Sequence, residues 1–348
     1  MTAALLPDLQ EASARLEEFL SGFLHRNAER YAYGALFEPL YDDLAEHLLH
    51  RGKRLRPLLF LGTYRLCGGA RPWNDPGLLS AAAALELLHS FILIHDDVID
   101  RAERRRGRPT LHRRMAERLG RLPGADRLGE NLAVVLGDML HALAVDTLLE
   151  ADFPAPVREA ALRRFLQYAG DTGGGEALDI LLSTQDIARV TPEEIERMYH
   201  LKTTRYTFEA PLLLGALLAG APAETAEALA ASAELLGLAF QIRNDLEEYA
   251  HFDLLDPALQ TDLLEGKKTL LLRAAYEGLG ETDRSFLQLC LDAPGSRGVS
   301  LRKIRELIEK SGAAATLERR QEELLARAQA GPAPCGEVVS LARRILRG

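Results

Sequence analysis

At 348 residues, with 47% hydrophobic and only 6% aromatic side chains, the chain can build one large core or two smaller ones. A formal net charge of −9 argues against nonspecific nucleic-acid binding, and three scattered cysteines without CxxC spacing (Cys67, Cys290, Cys335) argue against a disulfide framework or zinc cluster. The first residues lack the basic start and long apolar core of a signal peptide. No uncharged apolar run reaches the roughly 18 residues of a membrane span, so a cytoplasmic protein without stable membrane insertion is expected.

Helical periodicity recurs along almost the whole chain. It predicts helices over 8–30, 36–50, 55–67, 78–100, 129–151, 155–170, 173–183, 192–219, 223–250, 267–278, 282–292, 300–311, 313–330 and 336–347. Pro211 is expected to kink or split the one at 192–219. Breaks carry the usual punctuation, among them Gly68-Gly69, Pro123-Gly124, Pro154-Ala155-Pro156 and Pro222. No alternating strand and no interdomain linker stand out. The expected fold is all-α: a single large helical bundle over 1–348 with a central cavity, its long apolar helices 78–100, 192–219 and 223–250 buried centrally.

Two of those central helices end in acidic clusters. After the apolar run Phe91-Ile92-Leu93-Ile94 come His95, Asp96, Asp97 and Asp100. Asp96 and Asp100 are i and i+4, so they share a helical face with Asp97 beside them, and like charges so placed repel unless a cation intervenes. Hard oxygen donors suit Mg2+, which usually shares substrate phosphates. The second cluster, Asn244-Asp245-Leu246-Glu247-Glu248, repeats the geometry with Asn244 and Glu248 at i and i+4. In a bundle, two such helices could face each other and hold several Mg2+ ions against one diphosphate. Four basic groups accompany them: Lys53 to Arg56, Arg105 to Arg108, Lys202-Thr203-Thr204, and Gly266-Lys267-Lys268-Thr269. The last is not a phosphate loop, because Thr261 stands where glycine is required and no strand precedes it.

On these motifs, in this order and spacing from about residue 50 to 275, the chain resembles the trans-isoprenyl diphosphate synthases of the polyprenyl synthetase family. The resemblance implies that Lys53, Arg56, His89 and Arg106 hold the diphosphate of isopentenyl diphosphate. It assigns Asp96, Asp97 and Asp100 to the first aspartate-rich motif, Arg105 to the allylic diphosphate, and Gly137-Asp138 to a GD element. Lys202 and Thr203 match a KT pair beside the allylic diphosphate, Phe240-Gln241 opens the second motif, and Lys267 matches a downstream lysine. Gln241 falls among the implied catalytic and substrate-binding residues. The implied metal set is Asp96, Asp97, Asp100, Asn244, Asp245 and Glu248, holding Mg2+ (three ions) with substrate. Four positions depart from the family: Asn244 and Glu248 replace aspartates, Ala258 stands four residues before Asp262 where a lysine is common, and Glu176 replaces a glutamine ahead of Leu178-Asp179.

The resemblance further implies ionisation of an allylic diphosphate, attack by the double bond of isopentenyl diphosphate and loss of a proton, with no side-chain nucleophile, in a homodimer. Phe91, five residues before Asp96 and so about 7.5 Å deeper along the helix, would form with Ile92 the floor that limits product length. That favours a C20 product (geranylgeranyl diphosphate), with C15 (farnesyl diphosphate) next. A class I terpene cyclase on the same fold and a weakly active regulatory subunit are the alternatives. The first has no use for Lys53, Arg56 and His89, and the second commonly lacks the first acidic motif.

Overall fold

The computed structural model describes residues 2–30, 33–50, 52–250, 266–292 and 301–347. Ala258 and Asp262 lie outside these residues. In chain order the elements are α1 (Thr2–Arg30), α2 (Glu38–Leu49), α3 (Leu55–Leu66), α4 (Pro76–Ile99), a hairpin of β1 (Arg104–Arg105) and β2 (Arg108–Pro109), α5 (Leu111–Leu119), α6 (Ala125–Leu149) and α7 (Ala155–Ser183). There follow α8 (Pro192–Tyr199), a π-helical segment (His200–Glu209), α9 (Ala210–Ala219), α10 (Ala223–Ala250), α11 (Leu270–Gly278), α12 (Glu281–Asp292), α13 (Leu301–Ser311), α14 (Ala313–Gln329) and α15 (Cys335–Arg347). The fold is all-α, as its sequence pattern predicts. The helices divide into two compact units: the first comprises Met1–Phe165, Pro211–Pro222 and Ser340–Gly348, the second Leu166–Ala210 and Ala223–Val339.

In the first unit, α4 packs against α3 and α6, α1 covers α3 and α4, and α5 lies on α6. Asp75 starts α4 by accepting the N–H of Leu78 at 2.8 Å, with Pro76 at the first helical position. Residues 77–88 of α4 are all buried, the signature of a helix surrounded by others. The single charge in that stretch, Glu86, is met by Arg54 at 2.6 Å, and Arg54 is held in turn by Glu17 at 2.7 Å. Burial alone would lower the pKa of Arg54, but the hydrogen bonds and charges of Glu17 and Glu86 outweigh it and raise it, so the guanidinium stays charged. By length and composition α4 and α6 could each cross a membrane, yet 78% of the apolar window of α4 is buried in the protein, as in a core helix.

In the second unit, α10 packs against the π segment and α14, and α11 against α13 and α14. Leu182, Ile195, Ile242, Leu271 and Ile308 belong to its core. Two glycines allow close approach. A Cβ at Gly237 would fall 2.1 Å from Thr204 Oγ1, and one at Gly175 would fall 2.2 Å from the backbone nitrogen of Lys202.

Three local features depart from the sequence expectation. α5 is not among the expected helices: four of the nine residues of 111–119 are charged and its apolar stripe is narrow, yet Leu111 and Met115 are buried. The hairpin arises where Arg106 and Gly107 both take positive φ (52° and 78°), the requirement of a two-residue I′ turn, here without the usual Asn-Gly. α7 runs unbroken through Gly170 and Gly173-Gly174-Gly175, where two helices were expected, because tertiary packing overrides weak local propensity. The helix over 192–219 is split as Pro211 leads one to expect, by the π segment that lies just before it. Proline supplies no N–H and crowds the carbonyl four residues back, so the regular ladder cannot run through it.

Candidate active site

The first acidic motif closes α4. Asp100 caps the helix, its N–H on the carbonyl of Asp96 at 2.8 Å, so Asp96, Asp97 and Asp100 share the last turn. The hairpin returns Arg105 to them: it donates to Asp97 Oδ1 at 2.6 Å and to Asp96 Oδ2 at 2.9 Å. Asp97 is 1% exposed, and its Oδ2 is buried with no hydrogen-bond partner. Burial pushes its pKa up to about 6, opposed by Arg105 and assisted by Asp96. Hard oxygen donors, crowded like charge and an orphaned buried oxygen together fit a divalent cation of the Mg2+ type.

A cavity in the same unit is lined by five arginines (Arg54, Arg105, Arg106, Arg108, Arg114) against three carboxylates (Glu46, Glu86, Asp97), with His47, His50 and His89. The positive excess shows in its titratable groups. Burial, then the charges of Arg105, Arg106 and Arg114, lowers the pKa of His47 to about 4. Burial, then Arg56, Arg105 and Arg106, holds His89 well below its ordinary value. Arg106 itself is lowered, first by burial and next by Arg105. Both imidazoles are therefore neutral, and the cavity is suited to a polyanion that hydrogen-bonds arginine. Gly52 makes room for Arg106: a Cβ there would lie 2.7 Å from Arg106 Nη1.

Of the residues expected to hold isopentenyl diphosphate, His89 and Arg106 line this cavity and Arg56 is close enough to act on both electrostatically. Lys53 is placed differently. Its ammonium donates to the backbone carbonyl of Leu346 in α15, and it does not line the cavity.

Phe91 stands on the side of α4 that meets α6. Its ring packs on His95 (centroids 4.6 Å apart) and on His141 (4.9 Å). Ile92 is half-buried. The GD element has a physical reason here. A Cβ at Gly137 would strike the His95 ring at 2.6 Å, Asp138 lies 3.6 Å from His95 Nε2, and that nitrogen is 3.1 Å from the carbonyl of Val134.

In the second unit, Lys202 leaves the π segment to meet two carboxylates of α7, Glu176 at 2.8 Å and Asp179 at 2.7 Å. Lys267 approaches the same Asp179 at 3.7 Å. Thr203 is buried beside Lys202. On α10, the amide of Asn244 donates to Gln241 Oε1 at 2.7 Å, which leaves its carbonyl oxygen to meet a cation, and Glu248 is half-buried. Asp245 is committed elsewhere. It is buried, accepts from Tyr199 Oη at 2.9 and 2.7 Å, and takes the N–H of Leu271 at 3.4 Å.

Sequence reasoning passed over Arg54, Glu86, Asp179 and Tyr199. Glu86 had a signal, one carboxylate within an otherwise apolar buried run, which must find a partner. Tyr199 had none.

An all-α fold carrying a carboxylate cluster beside a basic cavity fits an enzyme that binds a divalent cation together with a polyanion. The structure superposes with a TM-score of 0.85, at 27% identity and over 97% of this chain and 98% of the other, on geranylgeranyl pyrophosphate synthase from Corynebacterium glutamicum, a structure complexed with isoprenyl diphosphate and magnesium. A short chain isoprenyl diphosphate synthase from Methanocaldococcus jannaschii is 32% identical over 273 residues, 78% of this chain and 76% of that protein. A geranylfarnesyl diphosphate synthase from Aeropyrum pernix is 32% identical over 288 residues, 81% and 84%. With the polyprenyl synthetase model matching residues 38–308, the chain belongs to the polyprenyl synthetase family.

Proposed function

We propose that this enzyme condenses isopentenyl diphosphate head to tail with an allylic diphosphate, giving a short-chain trans-prenyl diphosphate, C20 favoured and C15 next. The observation that carries the reading is the arginine-lined cavity that shares Arg105 and Asp97 with the first acidic motif, a basic anion site directly beside a carboxylate cluster. Mg2+, as three ions on Asp96, Asp97, Asp100, Asn244 and Glu248, would supply charge neutralisation for the leaving diphosphate, while Asp245, which the family pattern also puts in this set, is engaged by Tyr199 and Leu271. Arg105, Lys202 and Lys267 add fixed positive charge where negative charge develops, with Thr203 and Gln241 beside them. Arg106, His89 and Arg56 orient isopentenyl diphosphate, so that two anions meet in one geometry; Lys53, which the motif assigns to the same task, donates to the Leu346 carbonyl instead. The proton lost at the end passes to the departing diphosphate. The whole chain, 1–348, acts as one synthase domain in a cytoplasmic homodimer, a reading that rests on the family likeness.

Incubation with Mg2+, isopentenyl diphosphate and dimethylallyl, geranyl or farnesyl diphosphate, with the products identified, tests this. A C20 prenyl diphosphate is expected. Cyclised hydrocarbon formed without isopentenyl diphosphate would establish the cyclase instead, and no elongation of any primer would overturn the reading. In the same assay Phe91→Ala should lengthen the product by one or more C5 units; an unchanged distribution removes Phe91 as the floor.

A further inference from the structure

The second acidic motif is fixed to its surroundings by a group with no place in the chemistry above. Tyr199 is the last residue of α8, directly before the π segment that carries Lys202 and Thr203. It is 3% exposed, and its hydroxyl stands at a junction. It donates to Asp245 of α10, at 2.9 Å to Oδ1 and 2.7 Å to Oδ2, and it accepts the backbone N–H of Leu270 at 3.2 Å. The next amide, Leu271 N–H, reaches Asp245 Oδ2 at 3.4 Å. Leu270 and Leu271 begin α11, whose N-cap Thr269 accepts the N–H of Leu272 at 3.2 Å. Asp245 thus lies at a helix N-terminus, where exposed amides and the helix dipole favour a carboxylate.

The segment just before α11 is tied down from its other end. Lys268, 1% exposed, donates to the carbonyls of Gly266 at 2.7 Å and of Ser183, the last residue of α7, at 3.1 Å. Of the adjacent lysines, Lys268 is a buried strut. Lys267 is left to face Asp179, the carboxylate that also holds Lys202.

We propose that Tyr199 is a positioning residue for the allylic diphosphate site, and that Asp245 is its anchor rather than a metal ligand. The hydroxyl locks α10 to the first turn of α11 and to the root of the π segment, so Asn244 and Gln241 on one side and Lys202 and Lys267 on the other keep a common register. Three elements converge on one phenolic oxygen. Removing it leaves a buried carboxylate and a buried N–H short of partners, and they must rearrange or draw in water. The inference deepens the synthase reading and rests on it.

The test compares full-length wild type with Tyr199→Phe and Asp245→Asn. Binding of inorganic diphosphate with Mg2+ is followed by calorimetry, KM is measured for each substrate, and hydrogen exchange is followed at Leu270 and Leu271. Tyr199→Phe is expected to weaken Mg2+-dependent diphosphate binding about tenfold. It should raise KM for the allylic substrate to match, leave KM for isopentenyl diphosphate within about twofold and speed exchange at both amides. Asp245→Asn retains an acceptor for the hydroxyl and should weaken binding only about threefold. Faster exchange with unchanged binding and KM would make the contact merely structural and overturn the proposal. A loss at Asp245→Asn much larger than at Tyr199→Phe, together with a raised Mg2+ requirement, would make Asp245 a ligand and overturn it as well. If Tyr199→Phe does not fold, the Asp245→Asn comparison decides alone. Absence of turnover in wild type with every primer would sink the synthase reading itself, a result distinct from an active wild type and an indistinguishable variant.

Discussion

The two acidic motifs sit at the ends of comparable helices and repeat one spacing, yet the protein holds them by different means. Asp96 and Asp97 are met by a cation, Arg105, which comes from a short hairpin. In the second motif Asp245 accepts from a tyrosine hydroxyl and a backbone amide, Asn244 donates to the Gln241 amide oxygen, and Glu247 pairs with Arg243 on its own helix at 2.6 Å. Arg105 offsets only part of the charge on the first cluster, which leaves a net attraction for a cation. Asp245 is instead fixed in place by a buried hydroxyl and a helix amide, so the second motif is positioned by the packing of α8, α10 and α11.

The contrast can be broken most forcefully at Asp96. Asp96→Asn should lower kcat on the order of 10³-fold, because a fixed charge opposite the leaving group is lost; a drop under tenfold in steady-state rates would place the metal elsewhere. Gly52→Ala comes next. The new methyl must push Arg106 aside, a cheap movement for the fold but costly to an anion-binding guanidinium. KM for isopentenyl diphosphate should rise about tenfold, the equivalent of one charge-assisted hydrogen bond, with Tm unchanged within a degree or two. Equal KM values would detach Arg106 from that substrate.

Asn244→Asp sharpens the other side of the comparison. One added carboxylate should cut the Mg2+ concentration for half-maximal rate about threefold, and superimposable Mg2+ titrations would show that Asn244 does not meet the ion. An effect on stability rather than on activity lies in the basic cavity. His47 has its folded pKa depressed to about 4, so the unfolded chain binds the extra proton between pH 4 and 6.5. Stability from this residue is present above pH 6.5 and is lost as pH falls toward 4. His47→Gln should flatten that limb by about 2 kcal/mol after allowance for partial exposure. Denaturant midpoints that track wild type throughout this window would remove His47 as a cause.

The comparison also marks what a sequence can disclose. Three aspartates soon after Phe91-Ile92-Leu93-Ile94 sit badly with a solvated face, so the first cluster stands out locally, and the second cluster and the basic groups are what turn it into a diphosphate site. Arginine pairing is half legible: Arg105 is close in sequence, but its return to Asp97 depends on an Arg106-Gly107 turn that lacks the usual residues. The network of Asp245 is not legible, because Tyr199 lies 46 residues away and nothing in a lone tyrosine announces its partner. Lys53 shows the same limit in reverse. Its motif points to a diphosphate, while the fold offers its ammonium the carbonyl of Leu346, 293 residues on. The helices were predicted wherever apolar stripes were wide. The narrow stripe of α5 and the glycines of α7 were misread because burial, which is long-range, outweighed local propensity there.

The hairpin of 104–109 gives two neighbouring arginines different destinations. Arg105, on β1, turns back to Asp96 and Asp97; Arg106, at the tip with φ of 52°, lies beside Gly52. On a helix, consecutive side chains would diverge by only about 100° and could share one ligand. Here the turn acts as a switchyard. Its six residues act as a unit, since inserting or deleting one would change which arginine turns back to Asp96 and Asp97 and which lies beside Gly52.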